Sequence, residues 1–177
     1  MNFEIKIVTY LNSVGNKRLD CFLSFINSIT FLAFFWVVLS VIAIMRHPEI
    51  TGSFLKAIVM VAVLHFGITE GIIKHLALYV IPKRKRPFVA YPLLIKSVGR
   101  KFSDSSFPSS HMASSTAMLF VITAFYPSLL ILAIFFVVLM AFSRLHNGMH
   151  YPSDILAGVL LGLGYGGMTM YALKFLF

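Results

Sequence analysis

Residues 143–154 read Ser143-Arg144-Leu145-His146-Asn147-Gly148-Met149-His150-Tyr151-Pro152-Ser153-Asp154, between two long apolar runs. The runs point to helices that cross a bilayer; the stretch itself gathers an arginine, two histidines, two serines and a carboxylate. Ionisable groups beside a bilayer are costly, so such a cluster marks a functional site. With Pro152 in the first turn of the following helix, Asp154 can reach back to an imidazole nitrogen of His150 and fix its tautomer. An imidazole held this way can act as a nucleophile or base. A helix-capping aspartate beside a loop histidine has the same spacing, and His146 is read as a loop residue.

Composition supports the membrane reading. The 177 residues are 59% hydrophobic and 12% charged, with a mean hydropathy of +0.89, whereas a soluble domain is about half apolar and about a quarter charged. We expect one integral-membrane domain over residues 1–177. The net charge of +9 lies between hydrophobic runs with no nucleic-acid motif, so nucleic acid is not expected as a partner. Anionic lipid or a phosphorylated substrate suits that charge better. Cys21, the single cysteine, cannot form an internal disulfide. No signal peptide is expected: Glu4, Lys6, Lys17 and Arg18 surround a short amphipathic segment, and no small-residue cleavage site follows.

About twenty apolar residues cross a bilayer. The expected fold is an all-α helical bundle of about five transmembrane helices, Asp20–Met45, Ser53–Ile81, Ser109–Phe125, Pro127–Phe142 and Asp154–Phe175, preceded by an interfacial helix over residues 2–12. The second span carries His65, Glu70, Lys74 and His75. Glu70 and Lys74 have the spacing of a helical ion pair, read as structural ahead of catalytic. A metal site on His65, Glu70 and His75 is disfavoured, because steps of five spread the ligands around a helix of 3.6 residues per turn. Gly158, Gly162, Gly164, Gly166 and Gly167 suit close helix packing within the bundle, and the Gly162–Gly166 spacing is not taken to imply a dimer.

Between Pro82 and Pro108 seven cations face one acid, an anion-attracting field that can also be a topology signal. Counting spans places this loop, the Pro108-Ser109-Ser110-His111 segment and residues 143–154 on one side of the membrane. There Arg86 and Arg144, with lysine help, can hold phosphate oxygens through forked donors, and Ser109 can help bind an anion at a helix N-terminus. One imidazole can attack phosphorus while another protonates the leaving oxygen. Arginines can supply the charge neutralisation that a metal provides elsewhere.

Arg86-Pro87, Pro108-Ser109-Ser110-His111 and Ser143-Arg144-x5-His150-x3-Asp154 resemble the three signature motifs of the type 2 phosphatidic acid phosphatase superfamily, with Ser110 where glycine is common. The resemblance covers residues 83–154. It implies a phosphohistidine on His150 oriented by Asp154, with His111 as general acid and then base. Arg86, Arg144, Ser109 and the Ser110 backbone would hold the phosphate. The superfamily's lysine seven residues before the arginine is Tyr79 here; Lys74 lies five residues too early, and Lys83 or Lys85 is the expected replacement.

Within the superfamily the chain is most similar to bacterial undecaprenyl-diphosphate phosphatases, with phosphatidylglycerophosphate, phosphatidic acid and lipid A phosphatases as relatives. The implied activity is hydrolysis of a lipid phosphate or diphosphate without metal or cofactor. A non-catalytic lipid-binding or transport protein, suggested by Glu70 and Lys74, and a soluble-substrate phosphatase are the rivals. Cation counting puts the basic loop in the cytoplasm. The resemblance favours a bacterial inner membrane with the site facing the periplasm or outside.

Overall fold

The computed structural model describes residues 2–76 and 82–176, and all regular structure among them is helical. Helix α1 (Phe3–Ser13) covers the helix expected over residues 2–12. Helix α2 (Lys17–Ile26) starts where the Asn16 side chain accepts the Arg18 and Leu19 N–H groups, and α3 (Ile29–Arg46) starts where Ser28 Oγ accepts the Phe31 N–H. The uninterrupted span expected over Asp20–Met45 is therefore two helices. Ser28, in extended backbone at ψ 137°, caps a new helix instead of continuing the old one. Asn27 fills the joint, donating to the Leu23 carbonyl at 2.7 Å and to Ser143 Oγ.

Helix α4 (Thr51–Leu64) runs on as a wider π-helical segment, His65–Leu76. The end of the second expected span, and Tyr79 within it, lie outside the described residues. A short helix α5 (Pro87–Ala90) follows, then α6 (Ser110–Phe125), α7 (Leu130–His146) and α8 (Pro152–Leu176). Among the described residues, four helical stretches are long and apolar enough to cross a membrane: Ile29–Arg46, Pro48–His75, Pro127–His146 and Pro152–Phe175. The 16-residue α6 is shorter and lies at the centre, with Met112, Ala113, Ala117 and Val121 fully enclosed. A helix walled by others needs no lipid-facing stripe, which is why it can carry Ser114, Ser115 and Thr116.

Helix α8 packs on α6 through Gly158, Gly162 and Gly166. A Cβ at Gly162 would stand 2.6 Å from the Ala113 carbonyl oxygen and from Thr116 Cβ, and one at Gly158 would stand 2.6 Å from the Ser109 carbonyl oxygen. Gly164 and Gly167 face open space. Phe54, Val61, Ala117 and Tyr165 build one core between α4, α6 and α8, and Leu32, Met112, Met140 and Ile155 a second between α3, α6, α7 and α8. Phe34, Val63, Phe135 and Leu160 point outward, the apolar exterior that a bilayer wets.

Helix α1 is tied to the bundle by polar groups. Asn12 Nδ2 donates to the Lys96 and His146 carbonyls at 2.9 and 2.6 Å, and Asn12 Oδ1 accepts the Lys96 N–H at 2.8 Å. His146, expected in a loop, is instead the buried last residue of α7. Its ring lies 2.9 Å from the Leu11 carbonyl and 2.8 Å from Asp20 Oδ1. It fastens α1 and α2 to α7.

Candidate active site

A cavity of about 490 Å³ opens between α3, α4, α6 and the polar loops. Lys74, Arg86, Asp104, Ser110, His111, Arg144 and His150 line one end; Leu32, Trp36, Ile58, Val61, Phe66 and Met118 line the other. The π-helical segment places His65, Phe66, Glu70 and Lys74 on this one wall. Its hydrogen bonds run i→i+5, so steps of four to five residues stay on one face, whereas a 3.6-residue turn scatters them.

His150 sits in the turn between α7 and α8. Gly148 there has φ +69°, and its missing side chain admits the Lys96 carbonyl and Ile95. His150 Nδ1 lies 2.7 Å from the Ser106 carbonyl, an acceptor only, so Nδ1 donates and Nε2 keeps its lone pair. That nitrogen accepts from Arg144 Nη2 at 3.0 Å and from Arg86 Nη1 at 3.3 Å. A phosphoryl group gripped by both guanidinium groups would meet the lone pair directly. Burial pushes the imidazole well below its ordinary range, and the charges of Arg144 and Arg86 push it the same way.

Asp154 Oδ2 is 3.7 Å from His150 Nδ1, beyond hydrogen-bond reach. The buried carboxylate instead accepts the Tyr151 N–H at 2.8 Å and Arg84 Nη1 at 2.6 Å. The tautomer is held by the Ser106 backbone, with the Asp154 carboxyl group beside it. His111, in the first turn of α6, is on the same cavity wall. Its Nε2 donates to the Asn27 carbonyl at 3.1 Å, and its ring stands edge-on to Phe102.

Arg86 Nη2 donates to Asp104 Oδ1 at 2.7 Å and Nη1 to the Met149 carbonyl at 3.1 Å. Arg144 Nη1 donates to Asn27 Oδ1 at 3.3 Å. The Nε donors of both arginines are buried without a partner among the described residues, and such donors fit an anionic ligand. Arg86, Arg100 and Arg144 each lie within 6 Å of the Phe102 ring centre. Asp104 also accepts from Lys74 Nζ at 2.8 Å. Burial alone would raise its carboxyl, but the hydrogen bond and charge of Lys74, with Arg86, hold it at about 2.

Lys74 is the lysine on this wall, 3.7 Å from Glu70 as the spacing predicts and closer still to Asp104. Lys83 and Lys85 are exposed and off the cavity. Ser110 lines it and donates its hydroxyl to Glu70. Ser109 is buried behind it, its N–H donating to the Asp154 carbonyl at 3.1 Å. Sequence reasoning missed Ser106 and Asn27, whose parts are played by backbone and amide groups that no spacing announces. Asp104 left a signal, as the one acid among seven cations.

The chain is 25% identical to the lipid A 4'-phosphatase of Bacteroides thetaiotaomicron over 96% of its own length and 76% of that protein's. It is 29% identical to the undecaprenyl-diphosphatase BcrC of Bacillus subtilis over 94% of its length and 81% of the relative's. It shares its fold with the crystal structure of a transmembrane PAP2-type phosphatidylglycerolphosphate phosphatase from Bacillus subtilis, with a TM-score of 0.66, 19% identity and coverage of 97% and 85% of the two chains. Residues 54–176, which carry Arg86, Arg144, His111, His150 and Asp154, match the profile of the PAP2 superfamily, and the chain belongs to that superfamily as an integral-membrane hydrolase of phosphate esters.

Proposed function

We propose that the protein removes phosphate from the head group of a membrane lipid through a phosphohistidine on His150, with a polyprenyl diphosphate such as undecaprenyl diphosphate as substrate. The observation that carries this reading is one cavity with two chemistries: cations around His150 at one end, an apolar wall of α3 and α4 at the other. A lipid phosphate matches both ends at once. A soluble phosphate would leave the apolar end unused.

His150 Nε2 attacks the terminal phosphorus as its bond to the bridging oxygen breaks, and His111 gives its proton to that oxygen, so the lipid leaves as its monophosphate. In the second step His111 takes a proton from water, whose oxygen displaces the imidazole and frees inorganic phosphate. Arg86, Arg144 and Lys74 neutralise the charge that grows on the phosphoryl oxygens, with the N-terminus of α6 at Ser109 and Ser110 beside them. These cations take the part a metal plays elsewhere, so turnover in EDTA is expected. The similarity to BcrC supports the diphosphate, and the similarity to a lipid A 4'-phosphatase supports a monophosphate alternative.

The deciding experiment is phosphate release by the purified protein from polyprenyl diphosphate, phosphatidylglycerophosphate, phosphatidic acid and lipid A, each with and without EDTA. Fastest release from the diphosphate, unaffected by chelation, is the expected result. A faster monophosphate would overturn the substrate, and complete loss in EDTA the metal-free chemistry.

A further inference from the structure

Arg84 counts in the sequence only as one cation of a basic run, yet the structure gives it a defined position. Its Nη1 donates to Asp154 Oδ1 at 2.6 Å and to Ser153 Oγ at 2.7 Å, and its Nη2 donates to Glu4 Oε2 at 2.8 Å. The guanidinium lies over the Tyr151 ring, 4.1 Å from its centre. Glu4, from α1, uses its other oxygen to accept the Ser153 N–H at 2.9 Å, one of the free donors of the first turn of α8. The planar fork of an arginine reaches these three acceptors together; an ammonium cannot match that geometry. Arg84 is absent from the cavity lining, so it does not grip the phosphate.

Asp154 is completely buried. Around it are His150, whose Nδ1 proton goes to Ser106, Tyr151, which offers a backbone N–H, and Arg84, with Glu4 on the far side of the guanidinium. Among the described residues Arg84 is thus the cation in direct contact with this carboxylate. A buried carboxylate stripped of its cation takes up a proton instead. We propose that Arg84, held by Glu4 of the N-terminal helix, is a positioning residue that keeps Asp154 ionised beside His150. This rests on the reading of His150 as the nucleophile. When Nε2 bonds to phosphorus while Nδ1 keeps its proton, the ring becomes cationic, and a carboxylate 3.7 Å away stabilises that charge. Glu4 thereby makes the N-terminal helix part of the active-site framework.

The test compares Arg84→Gln, Arg84→Lys, Glu4→Gln and Arg84→Gln/Asp154→Asn with the wild type. Arg84→Gln is expected to lower kcat by about tenfold or more while KM stays within about threefold, the pattern of an interaction felt mainly in the transition state. Its activity should gain an acid limb at higher pH than the wild type, Arg84→Lys should recover part of the rate, and Glu4→Gln should show the same change in smaller degree. In the Asp154→Asn background the Arg84 substitution should add little. A kcat that falls only with the folded fraction, with an unmoved pH profile, would overturn the proposal. A readout independent of turnover is infrared absorption: Arg84→Gln should gain a protonated-carboxyl band that vanishes in the double variant, and absence of that band overturns the proposal. If the wild type releases no phosphate from any lipid while the band appears, the phosphatase reading fails and the charge assignment stands.

Discussion

The reactive nitrogen of His150 lies between two guanidinium groups, and its proton chemistry follows from that position. Burial and the two positive charges disfavour the imidazolium, so the neutral nucleophile persists on the acid side of 6.5. The acid limb of kcat/KM, which reports the free enzyme, is expected below pH 6.5; a limb at or above that value would contradict the assignment. Stability follows the same sign. Below 6.5 the unfolded chain binds a proton that the folded chain refuses, so His150 makes the protein less stable as pH falls through that window. His150→Ala and His111→Ala should each reduce turnover by roughly a thousandfold or more, as losses of a nucleophile and of its proton donor do.

Asp104 acts in the same direction at lower pH: its tie to Arg86 and Lys74 contributes fully above the ordinary value of 3.8 and is lost as pH falls through about 2. Because it occupies two cations that a phosphate would use, Asp104→Asn should lower the inhibition constant of inorganic phosphate about two- to fivefold, the scale of a partly exposed ion pair. Lys74→Met should cut kcat/KM about tenfold or more, while Lys83→Met and Lys85→Met stay within about twofold, since surface cations remote from a site contribute little. Much of the site was legible at this scale. The spacing of Arg144, His150 and Asp154 named them, and Arg86 and His111 were marked by their neighbours. Lys74 was misread because its distance to Arg86 was counted against a fixed motif, and the Ser106 carbonyl because a backbone acceptor has no letter in the sequence.

At the level of elements, hydropathy located every long helix but not the breaks within them. Asn27 and Ser28 divide the first apolar run because their side chains compete for backbone groups, a local effect that an average over twenty residues erases. The π-helical turn of His65–Leu76 is likewise invisible to a 3.6-residue count. The glycines of α8 were legible as packing residues, yet only the structure separates those facing α6 from those facing outward. Gly162→Ala should cost about 1–3 kcal/mol, because the new methyl meets the Ala113 carbonyl and Thr116 and forces two backbones apart. Gly164→Ala, in open space, should be neutral or slightly stabilising. Thermal unfolding in one detergent checks the pair, and equal losses would rule out close α6–α8 approach as the cause.

For the whole molecule, counting crossings from the sequence brought three separated polar segments to one side, and the structure places residues of all three around one cavity. The count succeeds because a helix must cross completely or not at all. It says nothing about which side is which. We expect the site to open away from the cytoplasm, and Lys101→Cys on the exposed loop, made after replacing the exposed Cys21, should react with a membrane-impermeant thiol reagent on intact cells. Protection until the cells are lysed would reverse the orientation.

The cavity itself sets one more property. At about 490 Å³ it is in the size range that encloses a drug-like molecule, so a long hydrocarbon tail fits only near its phosphorylated end. On that fit the remainder of the tail would lie among neighbouring acyl chains. Tail length beyond that first portion goes unread, and two lipids that differ only far from the phosphate should compete as equals.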